Sequence, residues 1–243
     1  MNINHRITSD SSTESTLKQL RLLMPSRVLS LGEALQITER QANRLLDLHH
    51  VVGPAVPIEL ITEQPRIRIE QSDELPASGS AHWDGSDWVI TVNSLEYDLR
   101  QRYTLCHEFK HIIDHPIRHR PIRLPRGSDL TQAEAAERVA DFFAACVLMP
   151  KAWVKTAFFN QGIQSPARLA EKFNVSPRAM SFRLNQLGLT GRAERCVTKN
   201  TTSAASMRWP TRSPRRYYRA FSNRVSTASA TYVAARTMIG GTA

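Results

Sequence analysis

His107-Glu108-Phe109-Lys110-His111 places two histidines and a glutamate in the order HExxH. Apolar Leu95, Leu99, Cys106, Phe109 and Ile113 recur around it at helical spacing, and Pro116 follows. That pattern predicts a helix over about 94–113. Side chains four apart on a helix differ by about 40° around its axis, so His107 and His111 can face one metal ion. Glu108 stands about 100° off that direction, where it can meet a water at the metal instead of the metal itself. Zinc lowers the pKa of such a water towards about 7 and polarises a substrate carbonyl. Glu108 would take the water's proton and pass it to the leaving amine.

A catalytic zinc site keeps three protein ligands and one open position. A third histidine at the metzincin spacing is excluded, because that position is Ile117. The remaining source is a carboxylate on the next helix, predicted over 131–149 and stopped at Pro150. Glu134 and Glu137 are three apart and share a face. Glu137 also shares the face of Ala140 and Ala144, small residues that let two helices approach closely. Glu137 is therefore preferred, with Glu134 the alternative. Asp114 is a candidate second acceptor for a ligand histidine. His115 reads as a solvated helix end, and Cys106 as a small buried apolar residue.

Upstream, Leu17, Leu20, Leu23 and Met24 predict a helix stopped at Pro25. Ser30 and Glu33 fit a capping box opening a second helix, and a third is expected from Thr38. Arg66 to Glu70 alternates like a strand, and Ala81 to Asn93 reads as a hairpin turning at Asp84-Gly85-Ser86. Downstream, Ser165-Pro166 and Ser176-Pro177 start two short helices with helix-turn-helix cadence. Arg178, Ser181 and Asn185, with Arg183 nearby, would form the outer face of the second. A small helical subdomain packed on the core is the plainer expectation.

The chain has 243 residues and a net charge of +10. Residues 191–243 hold ten Lys+Arg against one Glu, which leaves only about +1 for the first 190. The body is thus near neutral and the tail basic, with Tyr217-Tyr218 among arginines. Such a tail is expected to be disordered, and nucleic-acid contact through it is a weak possibility. Three widely spaced cysteines, without a CxxC, fit a reducing cytoplasm and no disulfide framework. No signal peptide stands out, and no apolar run reaches the roughly 18–20 residues of a membrane span.

Three blocks in order carry a family resemblance. They are Trp88-Val89-Ile90-Thr91-Val92-Asn93, then Arg100-Gln101-Arg102-Tyr103-Thr104-Leu105 running into HExxH, then Glu137-x-x-Ala140-Asp141-x-Phe143-Ala144-Ala145-x-x-Leu148-Met149-Pro150. Together they resemble the ImmA/IrrE metallopeptidases, over about residues 20–190. The resemblance implies zinc, or manganese, held by His107, His111 and Glu137, with Glu108 as base. It implies a cytoplasmic enzyme acting on a protein substrate, a DNA-binding repressor of the helix-turn-helix type. Asp141 departs from the family, which often has Asn there, and the basic tail matches nothing in it.

The expected fold class is α+β, zincin-like and of gluzincin type. A small antiparallel sheet should cover the HExxH helix, with a helical lead-in before it and a helix-turn-helix-like segment after it. The expected division is a leader at 1–16, a helical segment at 17–54, the catalytic domain at 55–160, a small helical segment at 161–190, and the tail at 191–243. The competing expectation is a non-enzymatic, metal-containing DNA-binding regulator. Glu108 argues against it, because a structural zinc site needs neither a base nor an open position.

Overall fold

A reciprocal cap opens the longest helix. The Glu33 amide donates to the Ser30 hydroxyl, and the Ser30 amide donates to the Glu33 carboxylate at 2.8 Å. This computed structural model describes residues 15–189. The expectations for 1–14 and for the basic tail lie outside the described residues.

The order is α1 (Thr16–Leu22), β1 (Leu29–Ser30), α2 (Leu31–Leu48), α3 (Glu59–Thr62), β2 (Ile67–Ser72), β3 (Gly79–Trp83) and β4 (Trp88–Asn93). It continues with α4 (Asp98–Asp114), β5 (Ile122–Arg123), α5 (Gln132–Leu148), α6 (Lys151–Lys155), α7 (Pro166–Phe173) and α8 (Pro177–Gln186). A π-helical turn at Thr156–Asn160 extends α6. The fold is α+β, as expected.

Two helices predicted across 30–48 are one. Thr38, taken as a start, is fully buried inside α2, between Ala34 and Gln41 on the same inward face. The HExxH helix begins four residues later than predicted. The Leu95 amide donates to the Asn93 side chain at 2.9 Å, which turns the chain before Asp98. Leu95, expected on the buried face, is therefore 77% exposed.

The main sheet runs β2-β4-β3. It is mixed, where a purely antiparallel sheet was expected. β4 pairs antiparallel with β3, from Gly79↔Val92 to Trp83↔Trp88, and parallel with β2, from Ile67↔Trp88. Residues 73–78 cause this. They carry the chain past the position of β4 to the far edge, and the hairpin then folds back into the centre. Asn93 pins that crossing, its side-chain amide donating to the Leu75 carbonyl at 3.2 Å. The hairpin turns where predicted, with the Ser86 and Asp87 amides donating to Asp84.

Trp88, Val89, Ile90 and Val92 of β4 are buried, and β3 and β4 pack on α4. On its other sides α4 meets α5 and α1, while α2 packs on α5. One apolar cluster runs through these elements. It joins Leu20, Leu45, Ile90, Phe109, Ile112 and Phe143 to Leu169, Phe173, Met180 and Leu184 of α7 and α8. Burial of this kind contributes about 25 cal/mol per Å² of apolar surface.

The back of α4 is tied to the N-terminal helices by polar contacts as well. Lys110, 1% exposed, donates to Asp114 at 2.6 Å and to Gln41 at 2.8 Å. Gln41 in turn donates to the Leu20 carbonyl at 3.0 Å. Arg21 donates to the carbonyls of Ile112 and Ile113, at 2.7 and 3.2 Å. Those carbonyls sit in the last turn of α4, where the regular helical ladder runs out.

Candidate metal centre

Helical spacing alone brings the two histidines together. His107 Nε2 and His111 Nε2 lie 3.1 Å apart, with their rings edge to face. α5 crosses α4 beside them on its alanine face, with Ala140 and Ala144 both buried. Glu137 thereby sets Oε2 at 3.2 Å from His107 Nε2 and Oε1 at 3.4 Å from His111 Nε2. One ligand atom from each of the three residues can be chosen so that all lie within 4.8 Å of one another.

This set fits a metal. A tetrahedron with bonds of about 2.05 Å has donor–donor edges of roughly 3.3 Å. Two imidazoles and a carboxylate also form a donor set that zinc accepts readily. His107, His111 and Glu137 can therefore hold a metal ion together.

Glu134, the alternative ligand, is committed elsewhere. Its carboxylate accepts from the Thr131 amide at 2.8 Å and from the Thr131 hydroxyl at 3.0 Å, closing the capping box of α5. Thr131-x-x-Glu134 is itself a capping signature, so the sequence held the signal that separates the two glutamates.

The acceptor behind His107 is Asp141, whereas Asp114 was the expected candidate. Asp141 Oδ1 lies 3.0 Å from His107 Nδ1, which leaves Nε2 facing Glu137 and His111. Asp114 is bonded to Lys110 instead. Asp141 stands one helical turn after Glu137, just as His111 stands one turn after His107. Tyr103 adds a tie between the helices, its hydroxyl donating to the Asp141 carbonyl at 2.8 Å.

The electrostatics follow from this geometry. Burial opposes a charge on His107, but its bonds to Asp141 and Glu137 outweigh that and push its pKa up to about 10. Burial alone would raise Glu137, yet the His107 and His111 bonds hold it well below the usual carboxylate range. Cys106, beside the first ligand, is fully buried, and burial pushes its thiol up to about 12 against the pull of Arg102. It is a packing residue, as expected.

Asp141→Ala should lower metal affinity by roughly 10–100-fold, the usual cost of losing an outer partner. Asp141→Asn should cost less, because its carbonyl oxygen can still accept from Nδ1. Competition against a chromophoric chelator measures both. Equal losses in the two variants would contradict this role.

Glu108 is partly buried and outside the donor set. It lies on the β3 side of α4, its Cγ close to Gly79. His115 packs edge to face against Trp88, with ring centres 4.8 Å apart, and is not part of the donor group. On α8, Arg178, Ser181 and Asn185 are exposed, as the helix-turn-helix reading requires. Arg183 is not available to that face. It is 1% exposed and donates inward to the Met149 carbonyl at 3.0 Å.

Comparisons with known proteins bear on the chain as a whole. It is similar to a Mycobacterium tuberculosis transcriptional regulator of solved structure, at 16% identity and a TM-score of 0.44. The match covers 70% of this chain and 51% of that one, so the chain spans about half the length of that protein. No curated protein sequence matches. A profile of the IrrE N-terminal-like domain, Peptidase_M78, matches residues 62–185, which include β2, β3, β4 and all four motif residues. That match spans half of the 243 residues, and the chain belongs to the IrrE N-terminal-like family of metallopeptidases.

Proposed function

We propose that this protein is a zinc-dependent endopeptidase of the cytoplasm that cuts one specific protein, a DNA-binding repressor of the helix-turn-helix type. The observation that carries the reading is the convergence of His107, His111 and Glu137 on one point, with Glu108 next to the first ligand yet outside the set. A structural metal site has no use for that fourth residue.

When bound, the metal acidifies a water and polarises the substrate carbonyl. Glu108 accepts the proton of the attacking water and delivers it to the leaving nitrogen. Asp141 keeps the His107 ring turned inward throughout. Among the described residues β3 pairs only with β4, so its outer edge offers backbone groups to an extended peptide. The repressor as substrate rests on the resemblance of the three motif blocks to ImmA/IrrE proteins. Among the described residues, no single helix is long and apolar enough to cross a membrane, which accords with the proposed location.

The test compares new protein N-termini in cells producing the wild type or Glu108→Gln, with the cognate genes present. One DNA-binding protein should gain a new N-terminus with the wild type only. Identical N-termini in both, with the genes still switched on, would overturn the enzyme and favour a non-catalytic regulator.

A further inference from the structure

Gly79, the first residue of β3, stands apart from the other described glycines. A Cβ built on Gly32, Gly53, Gly85, Gly127, Gly162 or Gly188 meets nothing within 4 Å. On Gly79 it would run into Thr104 Cγ2, and would lie 3.1 Å from the Thr91 carbonyl oxygen and 3.3 Å from Glu108 Cγ. The backbone of Gly79 has no positive φ, so conformation is not what calls for glycine here. Space is. Two of the three obstacles are on α4, one of them the glutamate of the HExxH motif.

The neighbourhood holds the strand down at this point. Ser78 donates to Glu96 at 2.8 Å and accepts from Arg100 at 3.0 Å. The Asn93 amide donates to the Ser78 carbonyl at 2.9 Å. β3 therefore cannot retreat from α4 here without breaking the contacts of Ser78. Thr104 is itself buried, and its branched side chain is short and stiff.

We propose that Gly79 is a positioning residue for Glu108. Its missing side chain lets the edge strand seat against the Glu108 stem, which fixes where the carboxylate stands relative to the metal ligands one residue and one turn away. The strand that offers its edge to the peptide is thus also the strand that locates the base. Peptide and base keep one register because both are referred to β3. This inference rests on the peptidase reading above.

The experiment uses the full chain and four forms: wild type, Gly79→Ala, Gly79→Ala/Thr104→Ser and Glu108→Gln. Thr104→Ser removes the methyl that an added Cβ meets most closely and leaves the Glu108 contact in place. Three properties are read. They are thermal unfolding, the ¹³Cδ chemical shift of Glu108 in the metal-free protein (assigned by its loss in Glu108→Gln), and kcat and KM on a peptide spanning the bond found by N-terminal comparison.

Gly79→Ala should be less stable and should move the Glu108 resonance. The double variant should regain wild-type unfolding while keeping the displaced resonance, and its kcat should stay about tenfold low with KM unchanged. A Glu108 resonance that stays at its wild-type position in folded Gly79→Ala overturns the proposal, whatever the activity. So does a double variant in which stability, resonance and kcat all recover together, since the glycine then serves packing alone. If Glu108→Gln cleaves as well as the wild type, Glu108 is not the base; if neither form cleaves, the peptidase reading fails; in both cases the resonance still decides whether Gly79 positions that side chain.

Discussion

Glu137→Ala should release the metal and end all cleavage, while Glu108→Gln should keep the metal and still lose most turnover. The two carboxylates are separated by geometry. Glu137 touches both ring nitrogens of the donor set, at 3.2 and 3.4 Å. Removing it leaves two imidazoles, and affinity should fall by more than the roughly 10–100-fold that an outer partner is worth. Glu108 lies outside the set, so its amide variant should bind one metal per chain as tightly as the wild type. Its turnover should fall by about 10²–10⁴-fold, the range assigned to a positioned general base. Glu134→Ala completes the comparison. It loses the half of the capping box in which its carboxylate accepts from Thr131, so it should melt at a slightly lower temperature with unchanged metal affinity. Elemental analysis, chelator competition and peptide turnover measure the three variants side by side. A metal-free Glu134→Ala with a metal-loaded Glu137→Ala would reverse the ligand assignment.

Asp114→Ala should be strongly destabilising, through a buried ion pair one turn on along the same helix. It leaves the Lys110 ammonium buried with Gln41 as its remaining named partner. Breaking a buried pair from one end costs roughly 3–5 kcal/mol. Replacing both ends, as in Lys110→Met/Asp114→Ala, should recover much of that, because no charge is then left inside. The pH dependence gives an independent reading. Burial lowers the Lys110 pKa below its ordinary 10.5, and Asp114 opposes that shift. Between the lowered and the ordinary value the unfolded chain holds more protons than the folded one, so stability rises with pH there. Without Asp114 that window widens downward. The deficit of Asp114→Ala should therefore be largest near neutral pH and shrink towards pH 10. Guanidinium unfolding at several pH values checks this. A deficit independent of pH would show that the lost contact is not electrostatic.

The centre was legible where its geometry is local. HExxH places two donors and the proposed base on one helix, and nothing more distant is needed to place them. The choice between Glu134 and Glu137 was also local, through the capping box at Thr131, which cancels one candidate. Asp141 could be found once Glu137 was taken as a ligand, since four residues further on a helix is the same face. The partner of Lys110 could not. Whether a lysine at that position points to solvent or inward depends on α2 being one helix through Thr38, and the local pattern there reads equally well as a break. The parallel pairing of β2 with β4 was hidden for a related reason. It arises from a crossing over residues 73–78, which adjacent alternation does not encode. The need for glycine at 79 is set by Thr104 and Glu108, more than two dozen residues away along the chain.

The bonds from Arg21 and Gln41 have a bearing on modularity. The family match begins at residue 62, but the last carbonyls of the HExxH helix are served from residue 21 and its inner lysine from residue 41. A graft of residues 62–185 into another protein would carry all four motif residues across and leave their anchorage behind. The transferable unit of this fold starts near residue 16, at the first turn of α1, and two chains that exchange the matched segment alone exchange a centre without its foundation.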